Sequence, residues 1–107
     1  MNEPSTILAL ASEYKGAPFL QECKRQGCRV VVVMNQSQKG APWPWDSIDE
    51  HFAMPDIRKR PDILHGVAYL ARTRRIDRIV ALDDFDVETA AAIREHMRLD
   101  GMDDSLA

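Results

Sequence analysis

The chain has 107 residues and a formal net charge of −3 at pH 7, with 45% hydrophobic and 29% charged side chains. This length suits a single domain over residues 1–107, and such a domain buries roughly 60 to 70% of its unfolded surface, so it needs neither metal nor disulfides to fold. The excess of acidic residues disfavours a nucleic-acid partner. No apolar run reaches the ~20 residues that span a bilayer, and residues 1–4 are too short and polar for a signal peptide. We therefore expect a cytoplasmic protein with no membrane partner.

The first predicted strand is the apolar run Thr6–Ala11. The polar residues 12–16 follow it as a loop, and Pro18 marks the predicted first position of a helix. Gly27 predicts the end of that helix, because glycine adopts the left-handed backbone conformation found there. The order is therefore strand, loop and helix.

The second predicted strand covers residues 29–34 and contains four consecutive valines. β-Branched residues in succession are a strong strand signal, and we expect this strand to be central. Residues 35–45 are rich in Gln, Gly and Pro and predict an excursion over the surface. Trp43 and Trp45 could form a ligand platform, but packing of the excursion onto its own domain is the favoured interpretation.

Residues 46–54 predict a short helical turn and then an edge strand near residues 51–54. Pro61 opens the next helix, whose apolar residues repeat every three or four positions, and Arg72, Arg74 and Arg75 follow at its carboxyl end. We interpret these arginines as complementing the helix dipole.

The last strand is the apolar run 79–82, which stops abruptly at Asp83, Asp84 and Asp86. A final helix is predicted from Val87 to about Leu99, with its stop at Gly101. Asp86 is explained equally well as a functional carboxylate or as the N-cap of that helix.

This alternation predicts an α/β, three-layer Rossmann-like domain with right-handed crossovers and helices on both faces. We expect a four-stranded, mainly parallel sheet in the order 3-2-1-4, with Val31 and Val32 buried on opposite faces. Ligands bind such sheets at the carboxyl ends of the strands. The predicted substrate-binding residues are therefore those that follow the strands: Ser12, Glu13, Tyr14, Lys15, Gly16, Asn35, Asp83, Asp84, Phe85 and Asp86.

Familiar catalytic and phosphate-binding patterns are missing from the sequence. The loop after the first strand has one glycine where a dinucleotide fold has Gly-x-Gly-x-x-Gly, and no P-loop or receiver-type acid pair is present. His51, His65 and His96 are dispersed, and Cys23 and Cys28 are read as reduced, buried small side chains. We predict no catalytic residue, metal ligand or cofactor in this chain.

Parts of the sequence resemble the N-terminal domain of ATP-grasp ligases, in particular the carbamoyl-phosphate synthase and biotin carboxylase branch. The segments that carry the resemblance are residues 42–49, 54–56, 69–74 and 77–91. It extends over roughly residues 6–102 and is most specific over residues 76–91.

The resemblance implies a pre-ATP-grasp domain that forms one wall of the site for the acceptor substrate. ATP and magnesium would be held by the two further domains of a longer parent enzyme, which are the expected partners together with a small-molecule acceptor. The isolated chain would then be inactive. The alternative is a non-catalytic Rossmann-like interaction module that forms a homodimer or regulates a partner.

Overall fold

The computed structural model describes residues 4–98 and shows a four-stranded sheet in the order 3-2-1-4. The helices and strands follow the predicted order. They are β1 Thr6–Ala11, α1 Ala17–Arg25, β2 Arg29–Asn35, β3 Glu50–Met54, α2 Arg60–Ala71, β4 Arg78–Ala81 and α3 Val87–Met97. Three short 3-10 helices cover Gln36–Gln38, Trp45–Ser47 and Asp84–Asp86.

All three strand pairings in the sheet are parallel, and β1 lies between β2 and β4. Leu8 is paired with Val31 on one side and with Ile79 on the other. The carboxyl ends of the strands therefore lie at one edge of the sheet, which we call the carboxyl edge. The predicted topology and the edge position of β3 are confirmed.

The sheet is covered on both faces. Leu8, Val31 and Ile79 belong to a core shared with α2 and α3, while Val32 and Leu20 belong to a second core beneath α1. Val31 and Val32 are both fully buried, as predicted. Alternate side chains of one strand supply the two cores because successive residues of a strand point to opposite faces.

Trp43, in the excursion between β2 and β3, packs into the second core, and only 3% of its surface is exposed. This confirms that the excursion packs onto its own domain. Trp45 behaves differently, since it is 42% exposed and its ring lies 4.7 Å from that of His51. The two tryptophans therefore do not form one platform.

Several details differ from the sequence predictions. Arg74 does not complement the dipole of α2; it forms a two-pronged ion pair with Glu50 of β3. Cys23 and Cys28 are free but only half-buried, and burial raises the pKa of the Cys23 thiol. The final helix ends at Met97, where Arg98 adopts a left-handed conformation, while Leu99 and Gly101 lie outside the described residues.

Within residues 4–98, no helix is long and apolar enough to cross a membrane.

Candidate functional site

The predicted loops meet at the carboxyl edge, and Ser12 lies where they come into contact. Ser12 follows β1 directly and contacts the side chains of Asn35, the last residue of β2, and of Asp86, in the segment that follows β4. The pairing of β1 with both neighbouring strands explains this convergence. The sequence prediction that these segments come together is therefore correct, while their binding of a substrate stays a prediction.

Asp86 is fully buried and is held by Ser12. Its Oδ2 accepts hydrogen bonds from the backbone N and from the Oγ of Ser12, both at 2.8 Å. Asp86 does occupy the N-cap position of α3, but its side chain makes no capping hydrogen bond. The predicted N-cap position is therefore correct, but the side chain does not act as the cap, because its carboxylate accepts hydrogen bonds from Ser12 at the end of β1. Its Oδ1 has no hydrogen-bond partner among the described residues.

Asn35 links three segments through one amide. Its Nδ2 donates to the backbone O of Ser12 at 3.2 Å, and its Oδ1 accepts from the backbone N of Ile57 at 2.7 Å. The side chain thus ties the end of β2 to the loop after β1 and to the loop before α2. These hydrogen bonds are internal to the protein, so Asn35 stabilises the arrangement of the three segments.

Asp83 is also turned inward. Only 8% of its surface is exposed, and its Oδ1 accepts from the backbone N of Phe85 at 2.9 Å. It therefore caps the short 3-10 helix Asp84–Asp86. The Nζ of Lys15 lies 4.0 Å from Asp83 Oδ2, which connects the loop after β4 with the loop after β1.

Gly16 is required by both backbone conformation and space. Its φ of 85° lies in the left-handed region that favours glycine. A Cβ added there would come within 2.9 Å of Leu82 Cδ2. The loop after β1 can approach the end of β4 this closely only because residue 16 has no side chain.

Tyr14 joins the loop after β1 to the excursion. Its OH donates to the backbone O of Pro42 at 3.0 Å, and its backbone N donates to Gln38 Oε1 at 3.0 Å. The rings of Tyr14 and Trp43 meet edge to face at 4.8 Å. Trp43 in turn donates from Nε1 to the backbone O of Gln38 at 2.9 Å. Sequence reasoning missed Gln38, because nothing in a loop glutamine indicates its partner.

The side chains that remain available to a ligand are Glu13, Lys15, Asp84 and Phe85. All four are exposed, with Phe85 at 69% and Lys15 at 60% of its side chain. They offer both signs of charge and one aromatic surface. Such a set can orient a small molecule that carries an amine, a carboxylate and an apolar group. No cluster of metal-binding side chains is found among residues 4–98.

Comparisons with known proteins show a likeness of fold. Neither a family model nor a curated protein matches this sequence. Among solved structures, the chain is similar to an L-amino acid ligase from Bacillus licheniformis, with a TM-score of 0.72 and 18% sequence identity. The match covers 95% of this chain and 26% of that chain, so this chain spans about a quarter of the ligase's length. It shares its Rossmann-like α/β fold with that part of the ligase.

Proposed function

We propose that the chain is the N-terminal, pre-ATP-grasp domain of an ATP-grasp carboxylate–amine ligase, where it forms one wall of the acceptor-substrate site. The observation that carries the proposal is the fold match, in which nearly all of this chain corresponds to a quarter of an amino acid ligase. The resemblance of residues 76–91 to ATP-grasp ligases points to the same class. A relation to the carbamoyl-phosphate synthase and biotin carboxylase branch in particular rests on the sequence resemblance.

The proposed division of labour follows from the chemistry of the exposed residues. Bound by the other domains of the parent enzyme, ATP and magnesium would supply activation of a carboxylate as an acyl phosphate. Asp84 would accept hydrogen bonds from the acceptor's amine, and Lys15 would bind its carboxylate. Phe85 would contact the acceptor's apolar part. Ser12, Asn35 and Asp86 would hold the loops in place without touching the substrate.

Two titrations of the chain test this proposal. ATP with magnesium, followed by calorimetry, should give no micromolar affinity, because the chain has no glycine-rich phosphate loop. L-Amino acids, followed by amide chemical shifts, should perturb residues 13–16 and 83–86 at millimolar concentrations. Micromolar ATP binding, or amino acid shifts confined to other surfaces, would contradict the proposal.

An interaction module is the second candidate, and exposed apolar side chains at the carboxyl edge favour it. Phe85 is 69% exposed in the short 3-10 helix Asp84–Asp86, and Val87 is 45% exposed at the first residue of α3. The size of the native polypeptide in cell extracts separates the two functions. A ligase should be several domains longer than 107 residues, whereas a module of this size that dimerises should sediment at twice its monomer mass of 12.1 kDa.

A further inference from the structure

A concave surface lies at the edge of the sheet opposite the carboxyl edge, where the strands begin. It is a cleft of about 520 Å³ between the starts of β1, β2 and β3 and the loop that joins α2 to β4. We call it the arginine cleft. Its lining residues are Pro4, Thr6, Arg29, Glu50, Thr73, Arg74 and Arg75.

The arginine cleft is positively charged in a protein that is negative overall. Among the described residues, its lining includes three arginines, Arg29, Arg74 and Arg75, and one acid, Glu50. Asp77, which lies next to the cleft, pairs with Arg75 at 3.0 Å. Among the described residues, these three arginines and two acids leave one excess positive charge, and Asp49, which also attracts Arg29, is paired with Lys24 at 2.7 Å.

Arg74 is fixed in one orientation. Its Nε and Nη2 donate to the two carboxylate oxygens of Glu50, each at 2.8 Å, and its guanidinium lies 5.3 Å from the centre of the Phe52 ring. Its Nη1 donates to Thr73 Oγ1 at 2.9 Å, so the Thr73 hydroxyl proton is available to an acceptor. A guanidinium held in this way loses little conformational freedom when it binds a ligand.

Hydrogen-bond donors outnumber acceptors in the arginine cleft. A guanidinium has five N–H bonds. Within residues 4–98, the ion pair of Arg75 with Asp77 uses its Nε. Arg29 starts β2, where its backbone N donates to Ser5 O at 2.8 Å and so fixes the position of its Cα. The remaining donors of the three side chains point to a ligand that supplies several oxygen acceptors.

We propose that the arginine cleft binds a small multivalent oxyanion through Arg29, Arg75 and the Thr73 hydroxyl, with Arg74 as the fixed positive group at its floor. Phosphate and carboxylate groups both match the planar, forked geometry of guanidinium. The carboxyl end of α2 lies nearby, but its effect of about half a negative charge falls off within one turn and is smaller than the excess positive charge of the cleft. This site is separate from the carboxyl edge and does not depend on the proposed ligase function.

Titrations with inorganic phosphate and with succinate test the proposal, with amide chemical shifts as the readout. Saturable shifts are expected at Thr6, Arg29 and Thr73. The variant Arg29→Gln/Arg75→Gln should weaken binding at least about tenfold, because it removes two positive charges and their charge-assisted hydrogen bonds to the anion. The control is Arg58→Gln, which removes one exposed guanidinium outside the cleft.

The relative affinities identify the ligand chemistry. Tighter phosphate binding assigns the site to a phosphate group, and tighter succinate binding assigns it to a dicarboxylate. The proposal is overturned if neither anion saturates the shifts by about 20 mM, a concentration at which even weak specific sites fill. It is equally overturned if Arg58→Gln weakens binding as much as the double variant, since that would indicate general charge attraction.

Discussion

Asp86 is a carboxylate without solvent contact, and Ser12 supplies both hydrogen bonds to its Oδ2. Removing one partner from such a pair leaves a buried donor unsatisfied, which costs more than the hydrogen bond itself contributes. Asp86→Ala should therefore lower the free energy of unfolding by about 2 to 4 kcal/mol, as measured by urea denaturation. This exceeds the roughly 1 kcal/mol typical of a lost helix cap.

The matched control is Asp84→Ala, because Asp84 is exposed and belongs to the same loop. It should change stability by no more than about 0.5 kcal/mol. A double-mutant cycle with Ser12→Ala should show coupling between residues 12 and 86. Equal stability losses in the Asp84 and Asp86 variants would show that the buried contact is not what holds the loops together.

Gly16 and Gly27 allow backbone strain to be separated from steric clash. Both have φ near 85°, but a Cβ at residue 27 would meet nothing within 4 Å, whereas one at residue 16 would approach Leu82. Gly27→Ala should cost about 1 kcal/mol for the left-handed conformation alone. Gly16→Ala should cost about 1 to 3 kcal/mol more from the clash, by the same denaturation measurement. Equal costs would argue against the close approach of Gly16 to β4.

The carboxyl-edge residues also show what the sequence can and cannot predict at this scale. Position after a strand was enough to predict that residues 12, 35 and 83–86 share one edge. It could not show which of these residues form hydrogen bonds within the protein, because their partners lie far away in the sequence. Ser12 and Asp86 are 74 residues apart, and Ser12 carried no signal that it would face an acid.

At the scale of elements, the Arg74–Glu50 pair fastens the edge strand β3 to the segment between α2 and β4. The Arg74 hydrogen bonds hold the pKa of Glu50 below its ordinary value of 4.5. A carboxylate with a depressed pKa stabilises the folded state above its unfolded pKa, and this stabilisation is lost as the pH falls through the folded pKa. The pair should therefore matter at neutral pH and not in acid.

Thermal unfolding of Glu50→Gln across pH tests this role. The variant should have a lower Tm than the parent protein at pH 7, and the difference should shrink as the pH falls below 4.5, the ordinary glutamate value. Glu95→Gln serves as the control, since Glu95 is exposed on α3. A Tm difference that stays constant in acid would show that the amide perturbs packing and that the charge pair is unimportant.

The four consecutive valines of β2 predicted a central, buried strand, and each of them is at most 1% exposed in the structure. Val32→Asp should destabilise the protein by about 3 kcal/mol or more, because it places an unpaired charge in the core beneath α1. Val87→Asp provides the comparison, since Val87 is 45% exposed at the first turn of α3, where an acid is favourable. A similar Tm for both variants would contradict the central position of β2.

At the scale of the whole molecule, the alternation of strands and helices determined the topology, since right-handed crossovers leave few arrangements of four parallel strands. The sequence was a poorer guide to segments whose position depends on contacts between residues far apart in the chain. The excursion is one example, because Tyr14, Gln38 and Trp43 hold it down through hydrogen bonds and ring contacts that have no local pattern. Arg74 is another, since its partner Glu50 lies on a different element.

The division of labour proposed for the parent enzyme gives the last prediction. In that enzyme, Lys15→Ala and Asp84→Asn should lower kcat/KM for the acceptor by about tenfold or more, because each removes a charge-assisted contact to the substrate. The KM for ATP should stay within about twofold, since the proposal assigns the nucleotide to other domains. Both residues are exposed, so stability should be unaffected and activity alone should change.

Glu95→Gln is the matched control in the same kinetic assay, because it alters an exposed charge in the last turn of α3, at the far end of that helix from residues 83–86. It should leave both kinetic constants unchanged. Unaltered acceptor kinetics in the Lys15 and Asp84 variants would show that the carboxyl edge does not contact the acceptor. A parallel loss in ATP use would instead place these side chains at the contact with the nucleotide-binding domains, and the exposed Phe85 and Val87 would then belong to that same interdomain surface.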